Sequence, residues 1–149
     1  MPKLVLFAAC EKAIVDQTTN VVSLMGLLQD VNLQLPPETV VPSNLMIPMQ
    51  WTVVSIWQRV LEDKGKTFEQ RSQFIDNSGQ LKLETPIAAF ELKEEFHRVF
   101  SQVGAMSVGT AGAHQVKCML REKGAPDWKE TAAYPINIKW LSTPSPTVH

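Results

Sequence analysis

At 149 residues the chain has the length of one domain and can bury a sizeable core without disulfides or a metal. Its 44% hydrophobic and 19% charged residues are those of a globular protein and exclude a disordered chain. A formal net charge of −1 gives no general attraction to nucleic acid or to anionic membranes, so neither is expected as a partner.

The first strand is predicted over residues 3–12. Lys3 precedes the apolar run Leu4-Val5-Leu6-Phe7-Ala8-Ala9-Cys10, as in the core of a signal peptide. The run is short, Glu11-Lys12 follow it, and no Ala-x-Ala cleavage site appears, so it reads as a buried strand. No segment approaches the roughly 20 apolar residues of a membrane helix, and a cytoplasmic location is expected. Asp16-Gln17-Thr18-Thr19-Asn20 makes a polar turn, and a long second strand is predicted over 21–35. In its latter half Val31, Leu33 and Leu35 face one way, because side chains on a strand alternate. Gly26 interrupts this strand near its middle, where a missing side chain marks a bulge or close backbone contact. Pro36-Pro37 ends the pairing, since proline has no N–H to donate.

After a loop over 38–44, the pattern is again extended over 45–60. Ile47, Met49, Trp51 and Val53 lie on one side and Val54 and Ile56 on the other, so this strand bends, bulges or is covered on both faces. Asp63-Lys64-Gly65-Lys66 turns into a strand over 67–75. Asp76-Asn77-Ser78-Gly79 then reverses the chain into Leu81-Lys82-Leu83-Glu84, because Asn and Gly tolerate the positive φ of a tight hairpin. Leu81 and Leu83 are expected on one buried face.

Two readings compete over 92–103. Leu92, Phe96, Val99, Phe100 and Val103 follow helical spacing, with acidic residues early and Gly104 after the last apolar position. Phe96-His97-Arg98-Val99-Phe100 also fits a strand, and its neighbours on both sides are strands, which favours the strand. A small-residue stretch over 104–112 permits a turn into a strand around Val116 to Leu120, and the last strand is predicted over 134–141. Residues 142–149 read as a disordered tail behind a single domain over 1–141. The whole predicts an all-β, immunoglobulin-like antiparallel sandwich of about seven to nine strands, with one short helix at 92–103 as the alternative there. Its core is expected from Leu4, Leu6, Val31, Leu33, Trp51, Val53, Leu81, Leu83, Val116, Leu120, Ile136, Ile138 and Trp140.

Chemistry is sparse. His97, His114 and His149 lie far apart and none has metal-ligand spacing; no metal or cofactor is expected. No Gly-x-Ser-x-Gly elbow is present. Cys10 with His97 or His114 is an arithmetical pair, yet an apolar strand raises a thiol's pKa and lowers its reactivity. Cys10 and Cys118 read as small buried hydrophobes. Trp51 and Trp140 sit on apolar faces. Trp57 and Trp128 stand beside Gln58-Arg59 and Asp127-Lys129, which makes them the candidate protein contacts against a reading as core or rim.

The stretches Ala9-Cys10-Glu11-Lys12-Ala13-Ile14-Val15-Asp16 and Asn20-Val21-Val22-Ser23-Leu24-Met25-Gly26-Leu27 resemble the opening of a family of small bacterial proteins of unknown function. An Asp-x-x-Gly turn, here at Asp76 to Gly79, and a Gly-x-His/Tyr-x-Val strand, here at Gly112 to Val116, recur in that family. The resemblance runs from Lys3 to Leu141 and implies a single-domain immunoglobulin-like sandwich with no assigned catalytic or ligand-binding residue. The function expected is a non-catalytic binding or structural module with a protein partner, a homodimer among the candidates. The alternative is a small enzyme with its site among Cys10, Glu11, His97 and His114.

Overall fold

The computed structural model describes residues 1–142, which form ten strands: β1 (Lys3–Val15), β2 (Val22–Leu27), β3 (Asp30–Leu35), β4 (Met46–Gln58), β5 (Thr67–Ile75), β6 (Leu81–Glu84), β7 (Ala88–Glu91), β8 (Phe96–Ser107), β9 (Gly112–Glu122) and β10 (Lys129–Ser142). Among the described residues there is no α-helix, only a 3₁₀ turn at Leu61–Asp63. Four strands in the order β2-β1-β4-β8 make one sheet. The second runs β3-β10-β9-β5-β6, with β7 also on β5. The two sheets pack face to face, as the all-β reading predicts. The tail expected over 142–149 begins at a residue that still belongs to β10; the rest of it lies outside the described residues.

Three departures from the sequence reading have local causes. The long second strand is two strands, one in each sheet. At the switch, Leu28 N–H donates to the Ala9 carbonyl at 2.9 Å and Asn137 N–H donates to the Gln29 carbonyl at 2.7 Å, so the chain leaves one sheet as it joins the other. β3 then runs parallel to β10, so the sandwich is not purely antiparallel. The third departure is the count, ten strands where seven to nine were expected. At 92–103 the strand reading holds. Pairing with β4 along most of its length supplies β8 with hydrogen bonds and buried neighbours that outweigh a helical spacing of apolar residues.

The core forms between the inner faces as two clusters. Trp51, Val53, Phe74, Met106, Val116, Ile136 and Ile138 build the first, with Ala9, Leu28 and Val31 beside them. Trp57, Phe68, Phe90, Leu92, Val99, Cys118 and Leu120 build the second, and Phe7 packs against both. Three residues expected in the core are not there. A register shift between Leu4 and Leu6 turns Leu6 outward. Another at Phe74/Ile75 leaves Leu81 exposed on the short β6. Trp140 sits at the rim, its Nε1–H donating to the Val108 carbonyl at 2.9 Å. Inside, Trp57 Nε1–H donates to Gln70 Oε1 at 2.7 Å, and Gln70 Nε2–H donates to Ser55 Oγ at 2.6 Å. All three residues are buried, and the chain of bonds joins the two sheets through the core.

The β5–β6 turn is organised by Asp76. Its Oδ1 accepts hydrogen bonds from Ser78 N–H at 2.9 Å, Ser78 Oγ–H at 2.7 Å and Gln80 N–H at 2.9 Å, while Lys82 Nζ stands 3.6 Å from Oδ2. The Ser78 hydroxyl, the turn amides and the Lys82 charge hold its pKa down at about 2, against the desolvation that would raise it. Because the folded pKa lies below the unfolded value of roughly 3.9, the carboxylate stabilises the fold above about pH 4 and loses that contribution as pH falls toward 2. Asp76→Ala is expected to cost about 1–3 kcal/mol at pH 7. In urea titrations the gap between the two proteins should narrow from pH 6 to pH 2; a gap independent of pH would deny the carboxylate this role.

Candidate interaction surface

His97 and His114 do not converge, and Cys10 and Glu11 lie on β1, whose partners are β4 and β2. Cys10 is fully buried, and desolvation raises its thiol pKa against a lowering hydrogen bond from the Lys12 backbone. His97 stacks on Phe90 with ring centroids 4.8 Å apart, and burial lowers its pKa. His114 is buried against Phe74 at 5.5 Å, with Nε2 3.1 Å from Thr110 Oγ1 and Nδ1 2.8 Å from the Gly112 carbonyl. Phe90 pairs with Phe68, and Phe68 and Phe74 lie six residues apart on β5. At about 3.3 Å per residue that places the two imidazoles at opposite ends of the sandwich. No group of three or more His, Cys, Asp or Glu side chains suited to a metal occurs among the described residues.

The tryptophans divide differently from the sequence reading. Trp57, read as a candidate contact, has no exposed surface and is bonded to Gln70; it is core. It shares its parity on β4 with Trp51 and Val53, which is the sequence signal for that position. Trp128 is half-buried on the other sheet, with the guanidinium groups of Arg71 and Arg121 over its ring at 4.4 and 4.2 Å. Those arginines also meet Glu84 at 3.4 Å and Glu69 at 3.2 Å. The ring pins the start of β10 to this sheet through intramolecular contacts.

Several exposed apolar side chains gather on the β1–β2 hairpin. Beyond Cys10, β1 leaves β4 and pairs with β2 alone. The connecting turn is closed by Asp16 Oδ1, which accepts from the amides of Thr18 at 2.8 Å and Thr19 at 2.9 Å. Although β2 and β8 occupy opposite edges of their sheet, Arg98 of β8 donates to Asn20 at the hairpin tip, to Oδ1 at 3.0 Å and to the carbonyl at 2.7 Å. Arg98 pairs with Ile56 and so points away from the core, opposite to Trp57 and Ser55. The hairpin therefore folds back across the outer face of the sheet. That accounts for the burial of Thr52 and Val54, which also point outward.

Along β2, Val22 and Leu24 are half-buried while Ser23, Met25 and Leu27 are exposed. Gly26 has φ +67, a left-handed backbone conformation that favours glycine, and the Glu11 carboxyl group lies over it. The free side of the hairpin carries Ile14 at 39%, Val21 at 58%, Met25 at 53% and Leu27 at 52% exposure. Sequence reasoning passed over this surface. Its signal was the adjacent apolar pairs Val21-Val22, Leu24-Met25 and Leu27-Leu28, which an alternating strand cannot place all on one covered face.

No family model and no curated protein matches the chain. Among solved structures it is similar to a conjugative transposon lipoprotein from Bacteroides eggerthii DSM 20697, with 13% identity and a TM-score of 0.34 over 66% of this chain and 92% of that one. A likeness at that level bears on neither the detail of the fold nor the function.

Proposed function

We propose that the protein is a non-catalytic module that binds another protein through the free side of its β1–β2 hairpin. The observation that carries this reading is the row of Ile14, Val21, Met25 and Leu27, each more than a third exposed on one hairpin. Exposed apolar side chains scattered singly are ordinary; gathered on one hairpin they mark a contact surface. A protein partner fits better than a nucleic acid or a membrane, since the net charge is −1 and several surface cations are paired with carboxylates. A cytoplasmic setting goes with the reading, as Cys10 and Cys118 are free thiols and burial lifts Cys118 to a pKa of about 11.

Met25→Glu with Leu27→Glu tests this. Both positions are exposed, so the variant should keep the native circular dichroism spectrum and unfolding midpoint. Proteins captured from the native host by the unaltered chain should be lost from the variant by tenfold or so, given about 1–2 kcal/mol per buried apolar contact. Capture of the same proteins in equal amount by both chains would refute it.

A further inference from the structure

The other edge of the same sheet, β8, carries a different surface. Arg59 N–H donates to the Glu95 carbonyl at 2.8 Å, just outside the facing pair Gln58 and Phe96. In an antiparallel ladder a bond in that place makes Gln58 and Phe96 a non-hydrogen-bonded pair, so their own N–H and C=O groups point away from each other. The alternation then continues along the register Trp57 to His97, Ile56 to Arg98, Ser55 to Val99, Val54 to Phe100 and Thr52 to Gln102. Phe96, Arg98, Phe100 and Gln102 thus direct their backbone groups to the open side. Among the described residues no strand pairs there, and no other backbone hydrogen bond reaches these four.

Such edges are usually blocked by charges, proline or a bulge. Residues 96–102 contain no proline and a single charged side chain, Arg98, which is turned to Asn20. We infer that this edge pairs with the β8 edge of a second copy of the chain, antiparallel about a two-fold axis through Val99. Any two-fold pairing that joins outward-pointing residues sets each even-numbered position opposite another even-numbered one. With the axis at Val99, Phe96 faces Gln102 of the second copy and Arg98 faces its Phe100, each pair exchanging two backbone hydrogen bonds. Arg98 does not face its own mate, so the pairing opposes no like charges. An axis through Arg98 would oppose the two arginines and one through Phe100 the two Phe100 rings, and every axis other than Val99 leaves at least one of the four outward-pointing residues without a partner among them. The second copy is thus the occupant this stretch matches along its length. The inference does not depend on the hairpin reading, because it concerns the opposite edge of the sheet.

One strand pair is a small interface, so the dimer should form in the micromolar range. Light scattering coupled to size exclusion, run from about 5 to about 500 μM, should show the mass rise from one chain to two. Phe96 and Gln102 are both exposed in the single chain, so charges there leave the core untouched. Phe96→Lys with Gln102→Lys sets two like-charged pairs across the interface and should weaken the dimer about tenfold or more at low salt. Phe96→Glu with Gln102→Lys sets opposite charges there and should hold it. A monomer mass at the highest concentration, or two double variants that dimerise alike, would overturn the pairing. Circular dichroism identifies any variant that has lost its fold, and the comparison then rests on Gln102→Pro, which removes one outward N–H and no bond to β4.

Discussion

Gln70→Ala should destabilise the fold by about 3–5 kcal/mol in urea titrations, more than any exposed substitution. Gln70 is almost fully buried between the sheets and satisfies two groups at once, the Trp57 indole N–H at 2.7 Å and the Ser55 hydroxyl at 2.6 Å. Removing its amide strands both in an apolar interior, where each unpaired group costs roughly 1–3 kcal/mol, and leaves a cavity as well. Apolar area lost is the smaller part, because glutamine carries little of it. The distinction is open to a comparison of single and triple variants. Gln70→Leu alone should still leave Trp57 N–H unpaired, whereas Gln70→Leu with Ser55→Ala and Trp57→Phe removes every orphaned group and should recover much of the loss. A triple variant as unstable as Gln70→Leu would show that packing, and not polar satisfaction, dominates the site.

Gly109→Ala should cost about 3 kcal/mol or more, an unusual penalty for one methyl group. The Cβ would meet the Ser43 carbonyl well inside contact distance and would lie 2.6 Å from the Pro42 carbonyl oxygen. Both obstacles are backbone, held where Leu45 N–H bonds the Pro42 carbonyl at 3.1 Å and Val108 N–H bonds the Leu45 carbonyl at 3.1 Å. They cannot step aside as a flexible side chain would. Gly104→Ala is the control, since its Cβ would meet nothing nearer than Gln50 Nε2 at 3.6 Å. Thermal unfolding should separate the two alanines by several degrees or more; equal midpoints would mean that the loop over 42–45 yields without cost.

What the sequence made legible follows from the range of the interactions involved. Alternation placed Val31, Trp51, Val53, Val116, Leu120, Ile136 and Ile138 inside, because the period of two is a local property of the strand. Gly26 was readable as an irregularity, and Asp76 to Gly79 as a turn. The failures are where the period slips or a distant element decides. A shift between Leu4 and Leu6 moved Leu6 to the other face, and the switch of sheets at Leu28-Gln29 looked like one uninterrupted strand. The polar sequence neighbours of Trp57 point to the surface, whereas its partner, Gln70, comes from the opposite sheet. The close approach at Gly109 depends on a loop more than sixty residues away, so its glycine read as simple flexibility. The hairpin lying over its own sheet depends on Arg98 finding Asn20 across 78 positions, and no local pattern encodes that.

The hairpin's role as a contact surface is tested most directly by photo-crosslinking in the native host, from a benzophenone side chain at position 25 and, as control, at the exposed position 80 on the β5–β6 turn. A partner seated on the free side of the hairpin should give a discrete product from position 25 that is absent from position 80 and differs in mass from two copies of the chain. No product from position 25, or the same products from both positions, would contradict it.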